Sequence, residues 1–324
     1  MDEFEFIDAI KQNSYKQPSI IKGVGDDAAV FRQTTRDIVT AIDTFVEDVH
    51  FSRSTMHPSH IGYRALAANI SDLSAMGAVP AFYLVSIVIP GSWSNEELTE
   101  VYQGMAELAA DYRMDLIGGD TVSGNELTIS ITVVGYVNRE KARYRSTAEN
   151  NDIVFVTGTL GDSAAGFHIL NNPGDYKDKM FYQRRHRTPD MRADFASKLE
   201  RLSRVALNDI SDGIASEAHE IAEASRVSLT IYEDKLPVSP NFYQFSTEQQ
   251  HNWKLYGGED FELVGTVAKN EWETLKAIAA ETNTPITPIG YAKSDNDGKY
   301  RVWLRARDNR TQPLQKKGYT HRSG

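Results

Sequence analysis

Aspartates recur where this chain changes direction. Asp26 and Asp27 sit side by side in the glycine-hinged stretch GVGDDAAV (23–30), Asp43 closes the apolar run VTAID, Asp120 stands in IGGDT, and Asp209 and Asp212 flank Ser211 in NDISDG. Adjacent carboxylates repel, and no basic side chain neighbours the 26–27 pair, so a positive charge must come from elsewhere. Taken singly, each is a common turn or cap residue; Asp212 before Gly213 could simply cap the helix that follows. Asp72 resists that reading, because it lies inside the alanine-rich helix ANISDLSAMGA, where a carboxylate needs a partner. Taken together, donors that are all oxygen suit a hard cation such as Mg²⁺, which binds few carboxylates and keeps positions for phosphate oxygens. His50, His57 and His60 have no zinc-type spacing and read as surface or substrate-contacting residues.

The elements that must position these side chains alternate between strand and helix. DIVTAIDTFV (37–46) reads as a strand, Pro58 opens a helix that Gly77 and Pro80 stop, and FYLVSIVI (82–89) is the next strand. SNEELTEVYQGMAELAADYR (94–113) starts on Ser94 with Glu97 three residues later and carries Leu98, Val101, Met105 and Leu108 at helical spacing. GGDTVSGN reads as a loop, followed by a half-buried strand in ELTISITVVGYV (126–137). The polar segment 138–152 lacks an apolar period and predicts a domain boundary, giving domains at 1–138 and 150–324. Beyond it we expect strands at 153–157, 227–232 and 261–267, and helices following GTLGD to about 170, over 190–206 and over 214–225.

Composition narrows the function. With 324 residues, two domains are the natural expectation. Thirty-five Lys and Arg against forty-five Asp and Glu give a formal charge of −10, which disfavours nucleic acid and anionic membrane as partners. The absence of cysteine excludes thiolate chemistry, no apolar run approaches the ~20 residues of a membrane span, and the acidic start MDEFEFIDAIKQ does not read as a signal peptide, which predicts a cytoplasmic protein. GVGDDA fits a dinucleotide-binding fingerprint in form, but two aspartates there would repel a pyrophosphate; no P-loop motif occurs. TGTLGDSAAG (157–166) could seat a phosphate or be a structural strand-to-helix turn. The basic run QRRHRTPDMR (183–192) reads as a solvated loop or a local phosphate contact.

In order, EFEFI, GVGDDAAV, DTFVEDVHF, ANISDLSAMGAVP, LIGGDTV, VTGTLGDSAAG, DISDGI and YGGEDFEL resemble the thiamine-monophosphate kinases, a family of the aminoimidazole ribonucleotide synthetase superfamily, from residue 3 to about residue 319. The resemblance implies a mixed α/β fold of two domains, the N-terminal sheet forming a barrel across a homodimer. It also implies ATP-dependent phosphorylation of thiamine monophosphate to thiamine diphosphate, a step of thiamine biosynthesis, with several Mg²⁺ ions. By motif, Asp27, Asp43, Asp72, Asp120, Asp209 and Asp212 resemble metal ligands; Tyr102, Gly119, Asp120, Arg145 and Ser211 resemble ATP contacts; His50, Glu259 and Tyr319 resemble substrate contacts. Asp72, Asp120 and Arg145 are then the expected catalytic groups. Two departures stand out: Ala41 and Ile42 replace the hydroxyl residues usual before Asp43, and Asp48 replaces a usual glycine. Another ATP-dependent enzyme of the superfamily, or a non-catalytic Mg²⁺–nucleotide binding module, are the alternatives.

Overall fold

The computed structural model describes residues 20–22, 29–32, 35–295 and 297–318, so Asp26, Asp27 and Tyr319 lie outside the described residues. Two sheets organise the rest. The first contains β1 (Ile20–Lys22), β2 (Ala29–Arg32), β3 (Arg36–Val46), β4 (Val79–Pro90), β5 (Asp115–Gly124) and β6 (Thr128–Asn138), in the order β1-β2-β3-β6-β4-β5. Its pairs are antiparallel except β4 with β5, which run parallel because α2 (Asn95–Asp111) makes the crossover between them. Along β6 buried and half-buried residues alternate, with Ile129, Ile131 and Val133 facing the core, as the period-two pattern requires. This sheet is open: β5 forms one edge, exposed at every position, with Leu116, Ile117 and Val122 among its exposed apolar residues.

The second sheet joins β7 (Ile153–Thr157), β8 (Val205–Asp209), β9 (Val227–Tyr232), β10 (Leu263–Val267), β11 (Ile286–Ser294), β12 (Val302–Arg305) and β13 (Thr311–Pro313), in the order β13-β12-β9-β11-β7-β10-β8. Helices pack on both faces, and β8, β10 and all of β7 after Ile153 are buried. On β7, Val154 and Val156 join the core under α6 (Ile214–Ser225), whereas Phe155 points to the opposite face and packs with α5 (Ala193–Lys198) and α8 (Trp272–Glu281). The remaining helices are α3 (Asp162–Asn171), α4 (Lys179–Arg187) and α7 (Thr247–Tyr256).

Helix α1 (Pro58–Ala75) lies between the halves, packed against α2, β3 and β6 on one side and against α4, α5 and β8 on the other. It is buried at nearly every position after its first turn, including Arg64, Asn69, Ser71 and Ser74. No helix among the described residues is long and apolar enough to cross a membrane.

Most of the expected elements form, among them the helix of 94–113, whose Ser94 and Glu97 make the reciprocal capping box. Three expectations change. Residues 190–206 are not one helix: α5 and a single 3-10 turn end by Arg201, and VALND becomes β8, paired with β10. Three apolar residues, Val205, Ala206 and Leu207, carry too few periods to separate buried strand from helix. GGDTVSGN is not a loop but most of β5; Gly119 approaches β4 so closely that a Cβ would lie 2.0 Å from the Val85 carbonyl oxygen.

The basic run 183–192 is not a solvated loop. Its first part is α4, and Arg185 is buried with its Nη2 2.9 Å from Glu262, while Arg192 adds Nε and Nη2, each 2.6 Å from the same carboxylate. Thr157 Oγ1 donates a further bond of 2.7 Å. Burial alone would raise the Glu262 carboxyl, but the Arg192 and Arg185 charges outweigh it and hold the group below its ordinary value. Glu262→Leu strands Arg192 without its carboxylate and leaves Arg185 only Asp190, 3.4 Å from its Nη1, and is expected to lower stability by about 3–5 kcal/mol. Urea unfolding measures this; a loss under about 1 kcal/mol would contradict the ion pair's structural role.

Candidate active site

Polar side chains of α1 fix carboxylates arriving from both sheets. On the first-sheet side, the Asp43 N–H donates to Asn69 Oδ1 at 3.1 Å, tying β3 to the helix, while Asn69 Nδ2 donates to the Ala65 carbonyl within α1. On the other side, Ser71 Oγ donates to Asp209 Oδ2 at 2.8 Å, tying the end of β8. Asp72, the next residue of α1, faces the cavity that opens between these strands. The cavity measures about 830 Å³, and Asp43, His50, Asp72, Asp209, Ser211, Asp212 and Glu259 all line it.

Two loops close its far wall. Ile210, Ser211 and Asp212 follow β8, and residues 257–261 precede β10; the Glu259 N–H donates to the Ser211 carbonyl at 2.7 Å and Phe261 N–H to Ile210 at 3.1 Å. Glu259 and Phe261 both take left-handed backbone conformations, with φ of 61° and 50°. Gly258 must be glycine for this contact, since a Cβ would stand 2.5 Å from the Ser211 oxygen. Glu217 Oε1 accepts from the Asp212 N–H, and its Oε2 accepts from Asn208, whose Oδ1 in turn accepts from Arg145 Nε at 3.1 Å.

His50 is held by the Val46 N–H, which donates to its Nδ1, and by Phe45, whose ring centroid lies 5.2 Å away. Asp48 adopts φ 61°, which explains why glycine suits that position and costs the aspartate roughly 1 kcal/mol. Ile42 is 64% exposed and faces the cavity, so no hydroxyl precedes Asp43; the hydroxyl after it, Thr44 Oγ1, lies 2.7 Å from Ser130 Oγ.

The donors fit magnesium in chemistry. Burial, and then repulsion from Asp209, push the Asp43 carboxyl up to about 6, and a bound cation would oppose both effects. Among the described residues no three His, Asp or Glu side chains converge closely enough to form a complete metal cage. Magnesium characteristically takes one or two carboxylates and completes its shell with phosphate and water, so such a cage is not required.

Not every expected residue is here. Tyr102, Gly119 and Asp120 line a separate cleft of about 380 Å³ beside the exposed edge β5. In register, Asp43 faces Ile131, Ile131 faces Val85 and Val85 faces Gly119, which places Asp120 about 14 Å from Asp43 at three strand spacings. Arg145 stands behind the cavity, its Nη1 3.5 Å from Glu220. TGTLGDSAAG proves to be a structural turn: the Gly161 and Ser163 N–H groups that open α3 donate to buried Asp260, at 2.6 and 3.0 Å, and are not left for a phosphate. Burial and the Asp162 charge push Asp260 up to about 7.

Sequence reasoning missed Arg64, Asn69, Ser71, Phe167 and His186, of which Phe167 and His186 line the cavity directly. The polar residues spaced through ANISDL were a usable signal for Asn69 and Ser71; nothing local marks Phe167.

An oxygen-lined cavity at the ends of strands from two α/β halves, joined by a buried helix, defines the class of the AIR synthase related proteins: residues 25–137 match that family's N-terminal domain and residues 149–302 its C-terminal domain. The chain is 45% identical to the thiamine-monophosphate kinase of Bacillus subtilis (strain 168), covering 99% of both chains. The structure of AaThiL complexed with AMPPCP and TMP superposes with a TM-score of 0.84 at 28% identity, covering 99% of this chain and 97% of that one. A thiamine-monophosphate kinase structure from Stenotrophomonas maltophilia K279a gives 0.77 at 30% identity, covering 94% and 96%. The chain belongs to the thiamine-monophosphate kinase family.

Because a carboxyl raised in the folded state holds its proton where the unfolded chain has released it, Asp43 contributes stability at pH 4 that is lost as pH rises through about 6. Melting temperatures of metal-free protein between pH 4 and 7 are expected to fall less steeply in Asp43→Asn than in wild type; equal slopes would contradict a raised Asp43 carboxyl.

Proposed function

We infer that the chain transfers the γ-phosphoryl group of ATP to the phosphate of thiamine monophosphate, giving thiamine diphosphate and ADP. One observation carries the reading within the family: Asp43 from the first sheet, Asp72 from the bridging helix, and Asp209 and Asp212 from the second sheet face one cavity that is also lined by His50 and Glu259.

The acceptor phosphate is already ionised at neutral pH, so no general base has to create the nucleophile. The barrier is charge. Two unit charges 4 Å apart repel by about 4 kcal/mol at an effective dielectric of 20, so two phosphate dianions repel by roughly 16 kcal/mol before screening. Asp43, Asp72, Asp209 and Asp212 would hold magnesium, with Asp27 as a further ligand from outside the described residues. Bound magnesium offsets the repulsion and stabilises the charge of an in-line displacement. Ser211 and Arg145 serve the nucleotide, and His50 and Glu259, with Tyr319, serve the thiamine portion. Residues 1–138 and 150–324 act as two domains that each bring part of this set.

The enzyme works as a homodimer in which the exposed edge β5 meets a second copy and the two N-terminal sheets close a barrel. The position of Asp120 supports this: three strands from Asp43 in its own subunit, it serves a nucleotide site only across an interface, together with Gly119 and Tyr102.

Two measurements follow. Asp72→Asn is expected to melt within a few degrees of wild type while losing about a hundredfold or more in turnover, read as thiamine diphosphate by phosphorus NMR with ATP, Mg²⁺ and thiamine monophosphate; wild-type turnover at limiting Mg²⁺ would remove Asp72 from the mechanism. Mixing inactive Asp43→Asn with inactive Asp120→Asn after mild dissociation is expected to restore activity, because a mixed dimer keeps one site with both aspartates. No recovery from verified mixed dimers would place Asp120 outside the partner's site.

A further inference from the structure

Arg64 occupies the centre of α1 with a side chain that is fully buried. Burying a guanidinium is costly unless its donors are all directed at acceptors. Arg64 meets this in part: its Nη2 is bonded to Glu259 Oε2, and its Nη1 donates to the main-chain oxygen of His186 and lies 2.9 Å from His186 Nδ1, while its Nε has no hydrogen-bond partner. An arginine accepts nothing, so Nδ1 must be the acceptor and the imidazole proton sits on Nε2. Burial and the neighbouring Arg64 charge depress the His186 pKa well below its ordinary value, keeping the ring neutral. The ring rests against Phe167 at 5.3 Å, and His186, Phe167 and Glu259 line the same side of the cavity.

Glu259 is the exposed end of this arrangement. Its side chain is 36% exposed, its backbone is left-handed, and Oε2 is engaged by Arg64, which leaves Oε1 for a donor or a cationic ring in the cavity. Without that anchor a carboxylate in a cavity already lined by Asp43, Asp209 and Asp212 would turn towards solvent.

We propose that Arg64 is a positioning residue for the thiamine portion of the substrate: from beneath the cavity it aims the Glu259 carboxylate and sets the donor face of His186. This rests on the assignment of Glu259 to the substrate. Arg64 touches neither phosphate nor metal ligand, so its effect falls on one substrate and spares the other.

The test compares steady-state kinetics of wild type, Arg64→Met, Arg64→Lys, Glu259→Gln and the Arg64→Met/Glu259→Gln double variant, with folding checked by thermal melting. Arg64→Met is expected to raise KM for thiamine monophosphate about tenfold or more and KM for ATP less than twofold. The double variant is expected to fall short of the product of the two single losses, because both changes remove the Arg64–Glu259 contact and only the contact with His186 is left for Arg64→Met to remove. Arg64→Lys keeps the charge but not the fork, so it is expected to recover part of the loss; if Arg64→Met does not fold, a selective rise in KM for thiamine monophosphate in Arg64→Lys carries the same conclusion. Equal rises in both KM values, an unchanged KM for thiamine monophosphate, or losses that multiply in the double variant would each overturn the proposal. If Glu259→Gln itself leaves KM for thiamine monophosphate unchanged, it is the substrate assignment of Glu259 that fails, and the inference falls with it.

Discussion

Everything in this molecule answers to the convergence of carboxylates carried by strands of two separate sheets. Burial, and then repulsion from Asp209, lift the Asp43 carboxyl towards neutrality. Such an arrangement persists only if each aspartate is held by something other than its like-charged neighbour. Helix α1 supplies that hold: Asn69 grips the main chain at Asp43, and Ser71 Oγ donates to the Asp209 carboxylate.

The same helix explains why α1 is so polar for a buried element. Arg64, Asn69, Ser71 and Ser74 all lie under the surface, yet each has a hydrogen-bond acceptor or donor assigned to it: Ser74 donates to Ile70 and Asn69 to Ala65 within the helix, while Arg64 and Ser71 reach into the second half. A core packed only with alanine and leucine would bury as much apolar area and leave the two sheets free to slide. The polar contacts specify one relative placement, which is what a reaction between two anions demands.

Arginines carry a parallel burden in the second half. Arg185 and Arg192 neutralise Glu262 beneath the loop that presents Glu259, so the acidic stretch 259–262 is divided by depth: its first carboxylate faces the cavity, and its last is locked in the core. Between them Asp260 replaces the missing side-chain cap of α3, whose own cap position is Gly161. Three neighbouring acids thereby do three different things, and only their surroundings separate them.

The sequence by itself determined which chemistry this chain can perform. Its aspartates stand beside glycines and strand ends, its cysteines are absent, and the periodicities of 94–113 and 128–138 state helix and strand without help from the rest of the fold. Those are local properties, set by capping, alternation and oxygen-donor chemistry within a few residues. Tertiary structure decided what local rules leave degenerate: that VALND is a strand, because β10 lies beside it to pair; that QRRHRTPDMR turns inward, because Glu262 waits in the core; and that Asp120 faces away from Asp43, because three strand spacings separate them. Each depends on a partner distant in the chain, and a charge, an unpaired strand edge or a register has no meaning until that partner is in place.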